Sequence, residues 1–236
     1  MSLLYIVLVA LASYLFGSIS FSRLAFRLLA PDQPLEDIEV PVPGSDDTYR
    51  VTATGASAAS MSLGGRAGCA IGILDMLKVA LPTYVVRAWF PGQPYFLLAA
   101  VAAMVGHAWP LYYRFKGGRG VSSVYGAMLV IDPLGALAVA VGGLLIGLLI
   151  LRDFIVAYLA GLWLLIPYLW WRTRDPTYVL FAVALNAVFI LAMIPDWRQY
   201  MKYKAQGKVD MEVVMGTTPM GRGMMRMMEK LGLNKK

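Results

Sequence analysis

The sequence predicts an all-α polytopic membrane bundle of about seven transmembrane helices, and three observations carry that prediction. Hydrophobic residues make up 59% of the 236-residue chain and charged residues only 15%, with a mean hydropathy of +0.64, outside the range of a soluble globular domain. The apolar residues fall into successive runs, several of them long enough for a helix to span a hydrocarbon core of about 30 Å. The basic residues gather at the ends of these runs and in the C-terminal segment. A formal charge of +7 distributed in this way suits anionic lipid head groups or a phosphorylated substrate rather than nucleic acid. One cysteine, Cys69, and one histidine, His107, exclude an internal disulfide and argue against zinc, haem or iron–sulfur sites. No cofactor or metal is expected.

The first run, Leu3 to Leu29, lacks a basic region before its apolar core and carries Arg23 and Arg27 at its far end. This suits a retained span with its N-terminus outside, not a cleaved signal. The two arginines, four residues apart, share a helix face and read as snorkelling anchors. Pro31 to Gly65 is a polar loop in which Pro31, Pro34, Pro41, Pro43 and Gly44 block a continuous helix. It holds Asp32, Glu36, Asp37, Glu39, Asp46 and Asp47. The stretches IEVPVPG and TYRVTAT are candidates for a small hairpin, with proline confining them to edges. Toward its end the loop turns to small residues and hydroxyls, TATGASAASMSLGG. Such residues serve close ligand approach, helix packing or flexibility alike.

Ala67 to Phe90 is the second span. Its Asp75 and Lys78 lie three apart on one face, about 12 to 17 Å into the run at 1.5 Å per residue. Ionisable groups at that depth are expensive. They read either as functional or as a mutually neutralising pair. Phe90 to Pro94 makes an uncharged outer turn, and Tyr95 to Tyr113 returns, carrying His107 toward its inner end. The stretch FKGGRGV, residues 115–121, follows and puts Lys116 and Arg119 among Gly117, Gly118 and Gly120. Glycines let several backbone N–H groups approach one anion, while lysine adds a point charge and arginine a fork. The stretch therefore reads as a phosphate cradle, with a positive-inside topology anchor as the other reading.

Asp132 and Pro133 split the next run into a short outgoing segment and a returning one, Leu134 to Leu151. Phe154 to Trp171 and Tyr178 to Ile194 complete seven crossings, N-terminus out and C-terminus in. Arg23, Arg27, Arg50, Arg66, Arg114, Lys116, Arg119, Arg152 and the basic residues after Pro195 then fall inside, and the outer turns hold Arg172 and Arg174, a local exception to the positive-inside bias. Residues 1–195 form one bundle that includes the cytoplasmic loop 31–65. Residues 196–236 form a basic, methionine-rich cytoplasmic tail, with Arg222, Arg226 and Lys230 spaced for an amphipathic segment on the inner leaflet.

GHAWPLYYRFKGGRGV, preceded by GSISF and ILDMLK, closely resembles the membrane acyl-phosphate:glycerol-3-phosphate acyltransferases, the PlsY family. The resemblance implies a seven-helix protein of the cell (inner) membrane with its site facing the cytoplasm. It implies transfer of an acyl group from acyl phosphate to glycerol 3-phosphate, giving lysophosphatidic acid. Arg119 stands where the family usually has lysine. RVTATGASAASM retains Gly55 and Ser57 of a glycine motif whose following arginine is Met61 here, with Arg66 or Arg50 as candidates to replace it in space. DWRQYMKYKAQGK retains Arg198 and Gly207 of a third motif, has Lys202 nearby, and carries Tyr200 and Lys208 where that motif has asparagine and glutamate. The expected roles follow. Lys116 and Arg119 hold a phosphate, His107 orients the loop or takes a proton, and Arg198 and Lys202 hold a second phosphate. Gly55, Ser57, Gly117, Gly118, Gly120, Asp75 and Lys78 line the substrate site. A phospholipid- or acyl-phosphate-binding protein without turnover and a small-anion transporter are the alternatives.

Overall fold

The computed structural model describes residues 3–32, 38–41, 48–51, 54–150, 154–206, 219–230 and 232. Its first run is two helices where the sequence predicts one. Helix α1, Leu3–Gly17, is apolar on all sides; helix α2, Phe21–Leu29, is strongly amphipathic. The chain leaves α1 because Ser18 turns its hydroxyl back onto the Tyr14 carbonyl at 2.9 Å, an interaction that competes with helix propagation. It re-enters a helix because Ser20, in extended conformation, accepts the Arg23 N–H at 3.4 Å as an N-cap. An average of hydropathy along the run cannot register a break of three residues.

In the polar loop the expected hairpin forms, from β1 (Ile38–Pro41) and antiparallel β2 (Thr48–Val51), with Ile38 opposite Val51 and Pro41 opposite Thr48. These are the strands among the described residues, and the membrane bundle itself is helical. The acidic residues Glu36, Asp37, Asp46 and Asp47 lie outside the described residues. The small-residue end of the loop is a short helix, α3 (Ala56–Ser62), seated on α4 (Gly65–Trp89). Helix α5 (Tyr95–Ala108) crosses α1 closely: a Cβ on Gly106 would stand 2.2 Å from the Tyr14 carbonyl oxygen, and one on Gly17 2.1 Å from that of Ala103. Only glycine allows two backbones this near.

Asp132 ends α6 (Val121–Ile131) and caps α7 (Pro133–Leu145), accepting the Gly135 N–H at 3.0 Å, so the turn expected at Asp132–Pro133 is present. A π-helical turn, Ile146–Ile150, follows α7, and α8 spans Phe154–Thr173. Helix α9, Pro176–Ala205, runs through Pro195, so the expected boundary between bundle and tail at 195/196 lies inside a helix. Helix α10, Pro219–Lys230, occupies the tail. Met104, Met128, Leu165, Leu169 and Leu185 are fully buried between α5, α6, α8 and α9 and form the centre of the core.

Four stretches have the length and hydropathy of a full crossing: Leu3–Leu29, Gly65–Trp89, Tyr95–Tyr113 and Pro176–Gln199; α6 and α7 are shorter apolar helices. Contacts sort the helix termini into two ends. At one end the Tyr5 ring meets Phe90, Phe90 meets Tyr95, and Phe96 meets Tyr178. Arg87 donates to the Val130 carbonyl there, a cation that the reading of the turns leaves out. The same end explains Arg172, which pairs with Asp132 at 3.5 Å beside a 2.8 Å bond from the Tyr168 hydroxyl to that carboxylate. The loop 115–121 lies at the other end.

Candidate functional site

The site is built on a tight reversal of chain after α5. Arg114 (φ 51°) and Phe115 (φ 60°) both adopt left-handed backbone, a conformation costing a non-glycine residue about 1–2 kcal/mol and characteristic of functional loops. Local bonds hold it: the Phe115 N–H donates to the Pro110 carbonyl at 3.0 Å and the Lys116 N–H to that of Tyr113 at 3.1 Å. The Gly118 N–H donates to the His107 carbonyl at 3.1 Å. A Cβ on Gly118 would lie 2.2 Å from His107 Nε2, so the glycine is required by contact with the imidazole. Gly120 (φ 89°) then starts α6 with no side-chain cap, which leaves the first N–H groups of that helix without intrahelical partners. In this first turn the buried Ser123 hydroxyl has no hydrogen-bond partner among the described residues.

Distant segments fasten the loop from outside. The Thr54 N–H donates to the Gly117 carbonyl at 3.1 Å, and its hydroxyl to the Lys116 carbonyl at 3.3 Å. The Ser22 hydroxyl donates to the Thr54 carbonyl at 3.3 Å. From α2, Arg23 Nη2 donates to the Lys116 carbonyl at 3.0 Å, and the guanidinium lies 4.9 Å above the centre of the Tyr113 ring. From α9, Asp196 accepts Arg119 Nε at 2.7 Å with its own side chain only 5% exposed.

A buried ionic chain supports the loop from within the bundle. Lys78 Nζ lies 2.8 Å from Asp75 Oδ1 and donates to the Ile19 carbonyl at 2.8 Å. That carbonyl belongs to the segment between α1 and α2, outside both helices, so it is available for this bond. Asp75 Oδ1 lies 3.6 Å from His107 Nδ1, and all three side chains are buried. The hydrogen bonds run from Ile19 through Lys78 to Asp75, and separately from the His107 carbonyl through Gly118 and from Gly117 to Thr54 and Ser22, which returns to the start of α2; His107 Nδ1, 3.6 Å from Asp75, has no hydrogen-bond partner among the described residues.

Of the residues expected at the site, Lys116, Gly117, Gly118, Arg119 and Gly120 share this loop, and His107, Asp75 and Lys78 lie directly beneath it. Gly55 also comes to it: a Cβ there would be 3.7 Å from Gly118 Cα. Ser57 is exposed on α3, and Arg198 and Lys202 are exposed on α9; among the described residues none of the three bonds to the loop. Asp75 and Lys78 form an ion pair, one of the two readings of their spacing, with Lys78 extended to the Ile19 carbonyl, and Arg119 is engaged by Asp196. Arg66 is exposed on the first turn of α4, the side chain of Arg50 lies outside the described residues, and Gly207 and Lys208 do as well. The arginine bonded to the loop from the first part of the chain is Arg23, read from sequence as an anchor; its position just behind the Ser20 cap was the available signal. Among the described residues no group of three or more His, Cys, Asp or Glu could hold a metal ion.

Known proteins share this sequence and architecture. Glycerol-3-phosphate acyltransferases of Klebsiella pneumoniae and of a Shewanella species are each 32% identical to the chain. The first aligns over 201 residues, 84% of this chain and 89% of the relative; the second aligns over 187 residues, 78% and 84%. The crystal structure of PlsY, an integral membrane glycerol 3-phosphate acyltransferase, in its glycerol 3-phosphate form shares the fold with a TM-score of 0.68 at 22% identity, over 87% of this chain and 94% of that one. Residues 7–203 match the family described as glycerol-3-phosphate acyltransferase, and the chain belongs to that family.

Proposed function

We propose that the protein is a membrane glycerol-3-phosphate acyltransferase that uses acyl phosphate and releases lysophosphatidic acid for phospholipid synthesis. The observation that carries the reading is the loop 115–121: Lys116 is exposed on a backbone fastened by Thr54, His107 and Arg23, beside the uncapped start of α6. A cation on a fixed backbone next to open N–H groups suits a phosphate and the charge that develops as acyl transfer proceeds.

Acyl phosphate is already activated, so the site needs to hold two substrates in line more than it needs a nucleophile of its own. The primary hydroxyl of glycerol 3-phosphate attacks the acyl carbonyl, the bond from that carbon to the phosphate oxygen breaks, and inorganic phosphate departs with the hydroxyl's proton. Lys116 binds a phosphate with the N–H groups at the start of α6. Gly117, Gly118 and Gly120 permit the approach, Gly55 lies against Gly118 from the start of α3, and the exposed Ser57 contacts substrate from α3. His107 lies between Asp75 and Gly118, which favours a role in fixing the loop over one in proton transfer. Arg119 ties α9 to the loop through Asp196, bringing the segment of Arg198 and Lys202 toward the second substrate. The acyl chain lies among lipid-facing helices, so it need not leave the bilayer.

In this reading the chain crosses the cell membrane seven times, N-terminus out, with the loop and the tail at the cytoplasmic face. The grouping of helix termini at two ends supports the alternation, and the basic residues near the loop support the orientation. The test is acyl transfer by purified protein in liposomes, from acyl phosphate to glycerol 3-phosphate. Lysophosphatidic acid should form, and Lys116→Ala with Arg119→Ala should abolish it. Phosphorylated-lipid binding without product would instead support the non-catalytic alternative.

A further inference from the structure

We infer that α10, Pro219–Lys230, is a membrane-surface helix that binds the anionic headgroups of the bilayer at the loop end, with its methionine side toward the lipid; the inference goes beyond the acyltransferase reading and does not depend on turnover. Helix α10 lies beyond residues 7–203, which carry the family match. It is strongly amphipathic. By helical spacing Met220, Met224, Met227 and Met228 fall on one side, and Arg222, Arg226 and Lys230, each four residues from the next, form a row on the other. All three cations are exposed. Glu229, the one carboxylate of the helix, lies beside that row, so the polar side keeps a net positive charge.

Two further observations choose the occupant. The last apolar stretch has the length and hydropathy of a crossing as far as Gln199, and α9 ends at Ala205, about 9 Å further at 1.5 Å per residue. Trp197, Arg198 and Lys202 are exposed there, the composition of a membrane–water boundary. The tail therefore leaves the bundle at headgroup level, at the end where Asp196 holds Arg119. The second observation is that α10 is poorly sustained by its own sequence. At 12 residues an isolated helix is marginal in water, and Gly221 and Gly223 lower its propensity further. No described helix or strand packs extensively against it. Flexible thioether chains on one side and cations on the other suit the boundary between acyl chains and headgroups, and each Lys or Arg near an anionic leaflet adds to the attraction.

The test attaches an environment-sensitive fluorophore to the full-length chain through Met224→Cys, with Cys69→Ala because that thiol is exposed. The labelled protein is reconstituted at low density in vesicles of phosphatidylcholine alone or of equal parts phosphatidylcholine and phosphatidylglycerol, and the access of a neutral aqueous quencher is measured. With phosphatidylglycerol the label should be shielded and its emission blue-shifted. In phosphatidylcholine alone, or in high salt, which screens exposed charge, it should be open to the quencher. Arg226→Gln with Lys230→Gln should lower the attachment constant about fivefold per cation removed, whereas Arg27→Gln, an exposed cation on another helix, should leave it unchanged. Amide exchange over residues 219–230 follows the same equilibrium in unlabelled protein and should slow only when phosphatidylglycerol is present. Shielding that is equal in both lipids and indifferent to salt assigns the methionine side to the bundle and overturns the inference. Shielding that grows with protein density assigns it to a second copy and overturns the inference as well, as does a label open to the quencher under every condition.

Discussion

The two ends of the bundle are closed by different physics. At the end away from the loop, aromatic rings meet at 5.3 to 6.3 Å, Asp132 caps α7 while accepting the Tyr168 hydroxyl, and other charged contacts there, Arg87 on the Val130 carbonyl, Arg172 on Asp132 and Asp175 on the Thr177 N–H, are exposed. At the loop end the fastening is by backbone carbonyls, glycine contacts and buried charge: Lys78 on Ile19, His107 against Gly118, Asp196 on Arg119. Ring packing is broad and tolerant, since another apolar side chain fills much of the same area. Ion-to-backbone bonds tolerate almost no displacement, and a partner left alone in the interior is penalised heavily. The difference teaches that the bundle needs one end only to close and the other to hold a particular geometry.

Substitutions break this comparison in graded fashion. The largest effect is expected from Lys78→Met, which leaves Asp75 buried without its cation; it should lower stability by about 3–5 kcal/mol, read as thermal unfolding in detergent. The double variant Asp75→Asn with Lys78→Met should recover part of that loss, because no lone charge remains. Gly118→Ala comes next: its methyl would press on the buried His107 ring and shift the loop, so acyl transfer should fall about hundredfold and stability by about 1–3 kcal/mol. Asp196→Ala should lower stability by about 1–3 kcal/mol, the cost of breaking one charged hydrogen bond, and should reduce turnover through α9. Asp132→Ala, at the other end, should lower stability by about 1 kcal/mol as a lost cap and leave acyl transfer unchanged. Equal loss of activity from Asp132→Ala and Asp196→Ala would erase the distinction between the ends.

The site was legible in sequence where its chemistry is local. Lys116 and Arg119 among three glycines mark, within seven residues, the turn proposed to bind an anion, and Asp75 with Lys78 announces a paired charge by helical spacing alone. The partners were not legible. Lys78 bonds a carbonyl 59 positions away, and Arg119 a carboxylate 77 positions away; no local pattern encodes either. Arg23 illustrates the same limit, since an arginine at the end of an apolar run looks identical whether it meets lipid or a loop 93 positions on.

By itself the sequence determined that the chain is a helical membrane protein and where most of its helices run, and it marked the short stretch proposed to meet a phosphate, because hydropathy, proline and glycine act over a few residues. Tertiary structure decided that α9 continues past Pro195, that Lys78 pairs with Asp75 while bonding the Ile19 carbonyl, and which arginine bonds the loop. These depend on which carbonyls and carboxylates the packed helices bring within about 3 Å of a donor, and that distance exists only after the helices have assembled.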